Sequence, residues 1–341
     1  MSYHTSTTSK AVSNWLLVVA LMVVAMIIVG GTTRLTDSGL SITEWKPISG
    51  AIPPLSQSDW ENEFQLYQRT TEFQTQNSAM TLDEFRFIFW WEWGHRQLGR
   101  TIGLIFFVPF VVFWLRGDLS ARLKPRLFAL LCLGGLQGAI GWWMVASGLV
   151  DRLDVSQYRL ATHLGMAFII LGYSIWLSLE ARFGPPPLRR GTLAGVGFTL
   201  LAMVFVQILL GAFVAGLDAG RIYNTWPLMN GDLVPEGYLG GHSFFPAIFE
   251  SHAAVQMHHR WMGYLVGLSI YAYAIRIWFE PRVSLKPFMI ILPAIVTGQI
   301  ALGIAALLAV VPLHLSLAHQ FGAVLLFVAT LCAAWTARRS A

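Results

Sequence analysis

The stretch WLLVVALMVVAMIIV, residues 15–29, decides what kind of fold this chain adopts, because so long an apolar run requires an apolar surrounding. Further long apolar runs are centred near residues 105, 135, 170, 203, 267, 298 and 326. Of the 341 residues, 55% are hydrophobic and 12% are charged, about half the charged share of an ordinary soluble domain. This composition excludes a disordered chain, a secreted disulfide scaffold and an ordinary cytosolic enzyme. We therefore predict an all-α integral membrane protein with eight transmembrane helices.

Two polar segments, residues 31–86 and 216–250, are too long to be simple connections between helices. The two termini and the short loops together hold 13 of the 23 Lys and Arg residues and three of the 18 acidic residues. These basic residues are Lys10, Arg116, Arg122, Lys124, Arg126, Arg182, Arg189, Arg190, Arg276, Arg282, Lys286, Arg338 and Arg339. The positive-inside rule then predicts that both termini are cytoplasmic and that both long loops lie outside. Because the charge is sorted by loop, the net charge of +5 does not indicate a nucleic-acid partner.

The chain also contains an internal duplication. The matched segments are 30–54 with 211–235, HRQLGRTIGL (95–104) with HRWMGYLVGL (259–268), 137–141 with 299–303, and 163 with 319. The separation falls from 181 to 164 residues between the first two matches, so the first outer loop carries about 17 extra residues. Each half has four predicted helices, an even number, so both halves insert the same way up. We therefore predict two pseudo-symmetric four-helix bundles, residues 1–185 and 186–341, related by an axis along the membrane normal.

Four histidines occupy equivalent positions near the outer ends of predicted helices: His95 and His163 in the first half, His259 and His319 in the second. A single histidine inside a membrane span is best explained as a hydrogen-bonded core residue. Two pairs in register at one depth instead indicate metal ligation, and one imidazole from each of two facing helices can hold a heme iron. Zinc and copper fit less well, because no carboxylate or thiolate lies at ligand spacing beside the C-terminal pair. We predict a heme site with two axial histidines in each half.

The residues around the histidines both repeat and differ. Gly99 and Gly263 each follow their histidine by four residues on the same helix face, where we expect them to leave room for a macrocycle. Three residues before the histidine, however, the first half has Glu92 and the second has Gln256, which cannot ionise. This difference predicts that Glu92 is the catalytic carboxylate of one site, while the other site transfers electrons. The alternative is that Glu92 only pairs with Arg96, one helical turn later.

Other polar and aromatic residues lie near the same boundary. Arg96, Arg100 and Arg260 can pair with heme propionates there, or extend toward water without a ligand. The first outer loop carries Trp45 and Trp60, and it either caps the site of the first half or forms a folded lid without a role in binding.

Six motifs of this chain resemble those of the heme A synthase family. They are GGTTRLTDSGLSITEWKPISGAIPP (30–54), EWGHRQLGR (92–100), VSQYRLATHLG (155–165), AGLDAGRIYNTWP (215–227), HHR (258–260) and AHQ (318–320). The resemblance extends from the first predicted helix to the eighth, and the first and fourth motifs are the most specific. Some bacterial members carry a cysteine pair in an outer loop, which this chain lacks, so it is more similar to the proteobacterial and mitochondrial branch.

The resemblance implies a reaction and a different heme in each half of the chain. Members of the family oxidise the C8 methyl group of heme O to the formyl group of heme A, for insertion into cytochrome c oxidase. By this resemblance His259 and His319 hold a resident heme b as cofactor, and His95 and His163 bind the substrate heme O. Glu92 matches a family position that is needed for turnover.

The same resemblance implies partners and a location. The expected partners are heme O and heme A, heme O synthase, the cytochrome c oxidase assembly machinery, a redox partner of unknown identity and membrane lipid, with homo-oligomers left open. The expected location is the cell inner membrane, as a multi-pass protein.

Two other functions are compatible with parts of the sequence. A diheme b-type membrane protein that only transfers electrons would need the four histidines, but neither Glu92 nor a long outer loop. A transporter built from parallel repeats would explain the duplication, but not the four histidines in register. Pigment extraction separates these functions, because only the synthase is expected to yield heme O and heme A beside heme b.

Overall fold

The computed structural model describes residues 7–149, 153–187 and 191–339. All regular elements in these ranges are helices, and the only β-type pairing described is an isolated bridge between Met229 and Asp232. The predicted all-α fold is therefore confirmed for this part of the chain. Arg189 and Arg190, two of the basic residues behind the predicted orientation, lie outside the described residues.

Eleven α-helices lie within the described ranges. They are α1 (Thr7–Leu35), α2 (Gln57–Tyr67), α3 (Thr71–Thr75), α4 (Leu82–Leu115), α5 (Leu123–Val145), α6 (Gln157–Phe183), α7 (Thr192–Gly216), α8 (Phe244–Glu250), α9 (His252–Trp278), α10 (Phe288–Leu308) and α11 (Leu313–Arg339). Seven of them are long and apolar enough to cross a membrane, namely α1, α4, α5, α6, α7, α10 and α11. Helix α9 has 27 residues, but polar residues such as His258, His259 and Arg260 lower its hydropathy. Its crossing, and hence the eighth span, stays a prediction.

The first outer loop is shorter than predicted, because the flanking helices extend into it. Helix α1 continues to Leu35, and α4 begins at Leu82. The start of α4 is fixed by a capping box, in which the Thr81 hydroxyl accepts from the Glu84 amide and the Glu84 carboxylate accepts from the Thr81 amide at 2.8 Å. This reciprocal pair satisfies two backbone donors and places the first turns of α4 ahead of its apolar run.

The chain divides into two compact units, Met1–Gly184 and Pro185–Ala341. In the first unit, α1 packs against α4 and α6, and α5 packs against the same two helices. In the second unit, α7 packs against α9 and α11, and α10 packs against the same two. Each unit thus contains four long helices with the same pattern of neighbours. The predicted symmetry axis between the units stays a prediction.

A local feature of the backbone also repeats. Asp37 and Asp218, which correspond at the 181-residue offset, have φ angles of 49° and 50°. Both lie in the left-handed region just after the first long helix of their unit, where Asp is tolerated better than most residues. The duplication seen in the sequence therefore extends to the conformation of this turn.

The first outer loop folds into a small domain of its own, which we call the cap (residues 36–81). Its helices α2 and α3 pack on the first turns of α4 through an aromatic and aliphatic core. This core contains Ile42, Trp60, Tyr67, Phe85, Ile88 and Phe89, all buried. The cap is therefore an ordered structure that covers the N-terminal end of α4, and His95 lies further along the same helix.

Candidate functional site

The C-terminal histidine pair has the spacing of two ligands on one metal ion. His259 on α9 and His319 on α11 have ring centroids 6.4 Å apart, with the ring planes at 82°. Two metal–nitrogen bonds of about 2 Å plus about 1 Å from each nitrogen to its ring centre give a separation of roughly 6 Å. The Nδ1 atom of His319 lies 3.1 Å from the backbone carbonyl of Gln299, which leaves Nε2 for the metal.

The N-terminal pair is carried by α4 and α6, with His95 on α4 and His163 on α6. The Gln137 amide nitrogen lies 3.3 Å from Nδ1 of His163 and donates to the His163 carbonyl at 3.1 Å. The glutamine of the repeated Gln-x-Ala-x-Gly motif thus contacts a candidate ligand through its side chain in one unit and its carbonyl in the other.

Each of the four imidazoles lies against a glycine of a neighbouring helix. The pairs are His95 with Gly30, His163 with Gly141, His259 with Gly211, and His319 with Gly303. A Cβ atom at these glycines would lie 3.1, 2.9, 3.1 and 2.7 Å from the nearest ring atom, respectively. Any larger residue would therefore push the ring away from its partner histidine. All four glycines belong to the repeated segments, so the duplication was the signal that could have identified them.

Gly99 and Gly263 each lie against a side chain from the first long helix of their unit. A Cβ atom at Gly99 would lie 3.3 Å from the Met26 side chain, and one at Gly263 would lie 3.3 Å from the Gln207 side chain. That these glycines also leave room for a macrocycle stays a prediction.

The two histidine pairs fit a heme better than a bare metal ion. Among the described residues, no group of three or more His, Cys, Asp or Glu side chains is placed to hold a metal ion. A porphyrin brings four nitrogen ligands of its own, so its iron needs only two from the protein. In each unit two imidazoles supply that number, from two helices that pack against the same two neighbours, and each ring lies against a glycine.

Glu92 is buried on α4 and makes several polar contacts. One carboxylate oxygen accepts from the Ser41 hydroxyl and from the Ile42 amide, both at 2.7 Å. The other accepts from the Arg96 guanidinium at 2.5 Å. The pair with Arg96 is thus present, and it extends to the backbone of the cap. These contacts do not decide whether Glu92 also takes part in catalysis, which stays a prediction.

The matching residue of the second unit, Gln256 on α9, has similar contacts. Its amide nitrogen donates to the carbonyls of Ala219 at 2.7 Å and Ile222 at 2.5 Å, and its oxygen accepts from Arg260 at 2.8 Å. Both residues therefore connect a ligand-bearing helix to the loop that follows the first long helix of their unit.

The three arginines near the candidate sites bind loop carbonyls. Arg96 donates to the carbonyl of Ile42, Arg260 to that of Tyr223, and Arg100 to that of Lys46. Their guanidinium groups therefore hold the outer loops in place. Pairing of these arginines with heme propionates stays a prediction.

The cap contains a buried carboxyl group that the sequence did not reveal. Glu72 on α3 is 3% exposed, and its Oε2 atom has no hydrogen-bond partner among the described residues. Burial, reinforced by the negative charges of Asp37, Asp154 and Glu92, raises the pKa of Glu72 to about 8. Nothing in the spacing of the chain signals this, because Glu72 becomes buried only when α3 folds back on α2.

The fold and the paired histidines together define a class: a helical membrane protein with two sites suited to heme. Comparison with known proteins agrees with this class. The family described as "Cytochrome oxidase assembly protein" matches residues 13–331. The chain is 82% identical to the Heme A synthase of Maricaulis maris (strain MCS10) over 340 residues, which cover 100% of both chains.

Two more distant relatives carry the same name. The chain is 47% identical over 323 residues to the Heme A synthase of Parvibaculum lavamentivorans, covering 95% of this chain and 93% of the relative. It is 50% identical over 321 residues to that of Rhizobium johnstonii, covering 93% and 87%. The chain belongs to the heme A synthase family of cytochrome oxidase assembly proteins, and the resemblance seen in its motifs is confirmed.

Proposed function

We propose that this protein oxidises the C8 methyl group of heme O to the formyl group of heme A, for use in cytochrome c oxidase assembly. The observation that carries the proposal is the repeated pair of histidine sites, in which Glu92 stands three residues before the histidine of one unit and the neutral Gln256 stands at the same position of the other. The relatives named Heme A synthase support the same reaction, since the alignment with one of them covers all of this chain at 82% identity.

The two sites then have different tasks. His259 and His319 hold heme b as the resident cofactor, and His95 and His163 are the axial ligands of the substrate heme O. This assignment is supported by the hydrogen bonding of the C-terminal pair, in which both imidazoles have a polar partner. A resident cofactor needs ligands that stay in place between turnovers.

The residues of the chain provide positioning and proton handling. Bound heme b would supply electron transfer. Conversion of a methyl to a formyl group, by two hydroxylations and loss of water from the gem-diol, is a four-electron oxidation with the net balance –CH3 + H2O → –CHO + 4 H+ + 4 e−. The electrons pass to the external redox partner, and the protons must leave the substrate site. Glu92 lies three residues before His95 on α4 and serves as the carboxylate that accepts these protons and passes them on. The cap excludes bulk water from this end of α4.

The location follows from the same proposal and from the charge pattern. We place the protein in the cell inner membrane with eight crossings, both termini in the cytoplasm, and the cap and residues 216–250 outside. Heme O synthase is then the natural supplier of the substrate, and the cytochrome c oxidase assembly machinery receives the product. A reporter fused after residue 341 is expected to behave as cytoplasmic, and one inserted near residue 74 as exported.

Pigment analysis tests the proposed reaction. The protein is expressed in a host that makes heme O but has no heme A synthase of its own, and its hemes are extracted and separated. The expected result is heme A together with heme O and heme b. Recovery of heme b alone, with no heme A in the host membranes, would overturn the proposal and favour a protein that only transfers electrons.

A further inference from the structure

One position beside the histidines differs in chemistry between the two units. Met26 on α1 and Gln207 on α7 correspond at the same 181-residue offset that aligns Gly30 with Gly211. The structure supports their equivalence, because each lies beside the glycine one turn after its histidine, Gly99 or Gly263, where an added Cβ atom would meet it at 3.3 Å. The two side chains therefore fill the same space with different functional groups.

Gln207 holds the imidazole of the C-terminal unit. Its amide nitrogen lies 3.1 Å from Nδ1 of His259 and donates to the His259 carbonyl at 3.0 Å. Its amide oxygen is buried and has no partner among the described residues. Since the nitrogen and oxygen of a glutamine amide exchange places by a half-turn, this oxygen can accept from an Nδ1–H donor when Nε2 binds a metal, in exchange for the bond from the amide nitrogen to the His259 carbonyl.

Met26 cannot do this for the N-terminal unit. A thioether has no donor and is a weak acceptor, so it can only pack against the ring. The His95 imidazole has no hydrogen-bond partner among the described residues and rests on packing, including its contact with Gly30. The opposite ligands do not show this contrast, because His163 and His319 both have a polar partner at Nδ1.

Hydrogen bonds to the second nitrogen of a ligating imidazole fix its orientation and increase its basicity. Loss of such a partner typically lowers metal affinity by about 10- to 100-fold. A ring without a partner can also swing away from the metal without breaking a hydrogen bond. The difference at positions 26 and 207 therefore makes His95 the most easily released of the four ligands.

We propose that Met26 and Gln207 are positioning residues that set how long each site retains its heme. Gln207 keeps heme b resident by fixing His259, whereas Met26 leaves His95 free to release, so that heme O enters and the product leaves. This inference rests on the proposed function, because it assigns the exchanging heme to the N-terminal pair.

Heme transfer to apomyoglobin measures retention directly and does not depend on turnover. The purified full-length protein, loaded with heme b and heme O, is mixed with excess apomyoglobin, and the loss of each heme is followed over time. Q207M is expected to release heme b about 10- to 100-fold faster than the unaltered protein. M26Q is expected to release heme O more slowly by a similar factor, while the apolar control M26L releases it at the unaltered rate.

The outcomes separate this inference from the function on which it rests. H259A should not retain heme b, and if it does, the proposed assignment of the sites fails. If H259A loses heme b but Q207M releases it at the unaltered rate, the site assignment stands and the role of Gln207 is overturned. If Q207M does not fold, M26Q still decides, because an unaltered release of heme O from M26Q contradicts the role of Met26.

Discussion

In both units, the loop that follows the first long helix is held by hydrogen bonds from two residues one helical turn apart. One residue of each pair differs in charge between the two units. In the first unit, Arg96 donates to the carbonyls of Ile42 and Glu44. In the second, Arg260 donates to those of Tyr223 and Thr225. Both loop positions correspond at the offset of 181 residues, so the two arginines form equivalent hydrogen bonds in the two units.

The second residue of each pair bonds to its loop in the opposite sense, as an acceptor in the first unit and as a donor in the second. Glu92 accepts hydrogen bonds from the Ser41 hydroxyl and the Ile42 amide, whereas Gln256 donates to two backbone carbonyls. The second unit thus fastens its loop with a neutral side chain. A charge near a membrane interior is costly, so a charged residue where a neutral one suffices points to a task beyond fastening. This comparison supports the proposed proton handling by Glu92.

Replacing Glu92 with the residue type of the second unit should have the largest effect on heme A formation. E92Q removes the charge and keeps the size, and we expect heme A formation to fall roughly 10²- to 10⁴-fold, the usual contribution of one positioned acid–base group. Heme O should accumulate, and heme b should be retained, as measured by separation of the extracted hemes.

A control variant separates the charge from the fastening. S41A removes one hydrogen bond to Glu92, worth roughly 1.5–3 kcal/mol for a charged acceptor, and keeps the carboxylate. We expect S41A to form heme A at a rate close to that of the unaltered protein. Equal losses in S41A and E92Q would show that the fastening, and not the charge, accounts for the effect.

The glycines beneath the imidazoles give the next largest effect. G303A places a Cβ atom 2.7 Å from the His319 ring, and overpacking of this kind costs about 1–3 kcal/mol. We therefore expect heme b affinity to fall about tenfold or more, measured by titration of the heme-depleted protein. G298A, on the same helix, meets no atom within 4 Å and serves as the matched control. Equal affinities in the two variants would contradict the close approach of helix α10 to His319.

The parts of the fold and of the candidate site that depend on local patterns could be predicted from the sequence. Apolar runs predict the long helices, because burial in lipid imposes that length. The four histidines could be paired because the duplication places them in register. Gln207 and Met26 could not be found in this way, since a search for repeated residues passes over the positions at which the halves differ.

The cap could not be predicted, because its fold depends on contacts between distant segments of the chain. Its helices α2 and α3 are short and polar on the outside, and they are stabilised by contact with α4 through residues such as Trp60 and Phe85. The pattern of the loop alone therefore indicated only a long polar segment. The same long-range packing buries Glu72, so neither its exposure nor its raised pKa could be predicted.

The buried carboxyl of the cap is expected to have the smallest effect. Because the pKa of Glu72 rises from 4.5 to about 8 on folding, the folded cap binds a proton that the unfolded cap has lost. The contribution of Glu72 to the stability of the cap should be complete below about pH 4.5 and should be lost as the pH rises to about 8. E72Q should lose this dependence.

Limited proteolysis at several pH values, with a protease whose own activity is corrected for at each pH, measures the opening of the cap. The control is E61Q, which alters an exposed glutamate of α2. We expect E61Q to keep the pH dependence of the unaltered protein. The same dependence in E72Q would show that another group titrates.

Heme analysis of ligand variants shows whether the two histidine pairs hold different hemes. The purified H259A/H319A and H95A/H163A proteins are compared with the control H252A, which alters the first residue of α9. We predict that H259A/H319A loses heme b, that H95A/H163A keeps heme b but binds no heme O, and that H252A keeps both. Retention of heme b by H259A/H319A, or its loss from H95A/H163A but not from H259A/H319A, would show that His259 and His319 are not the ligands of the resident heme b.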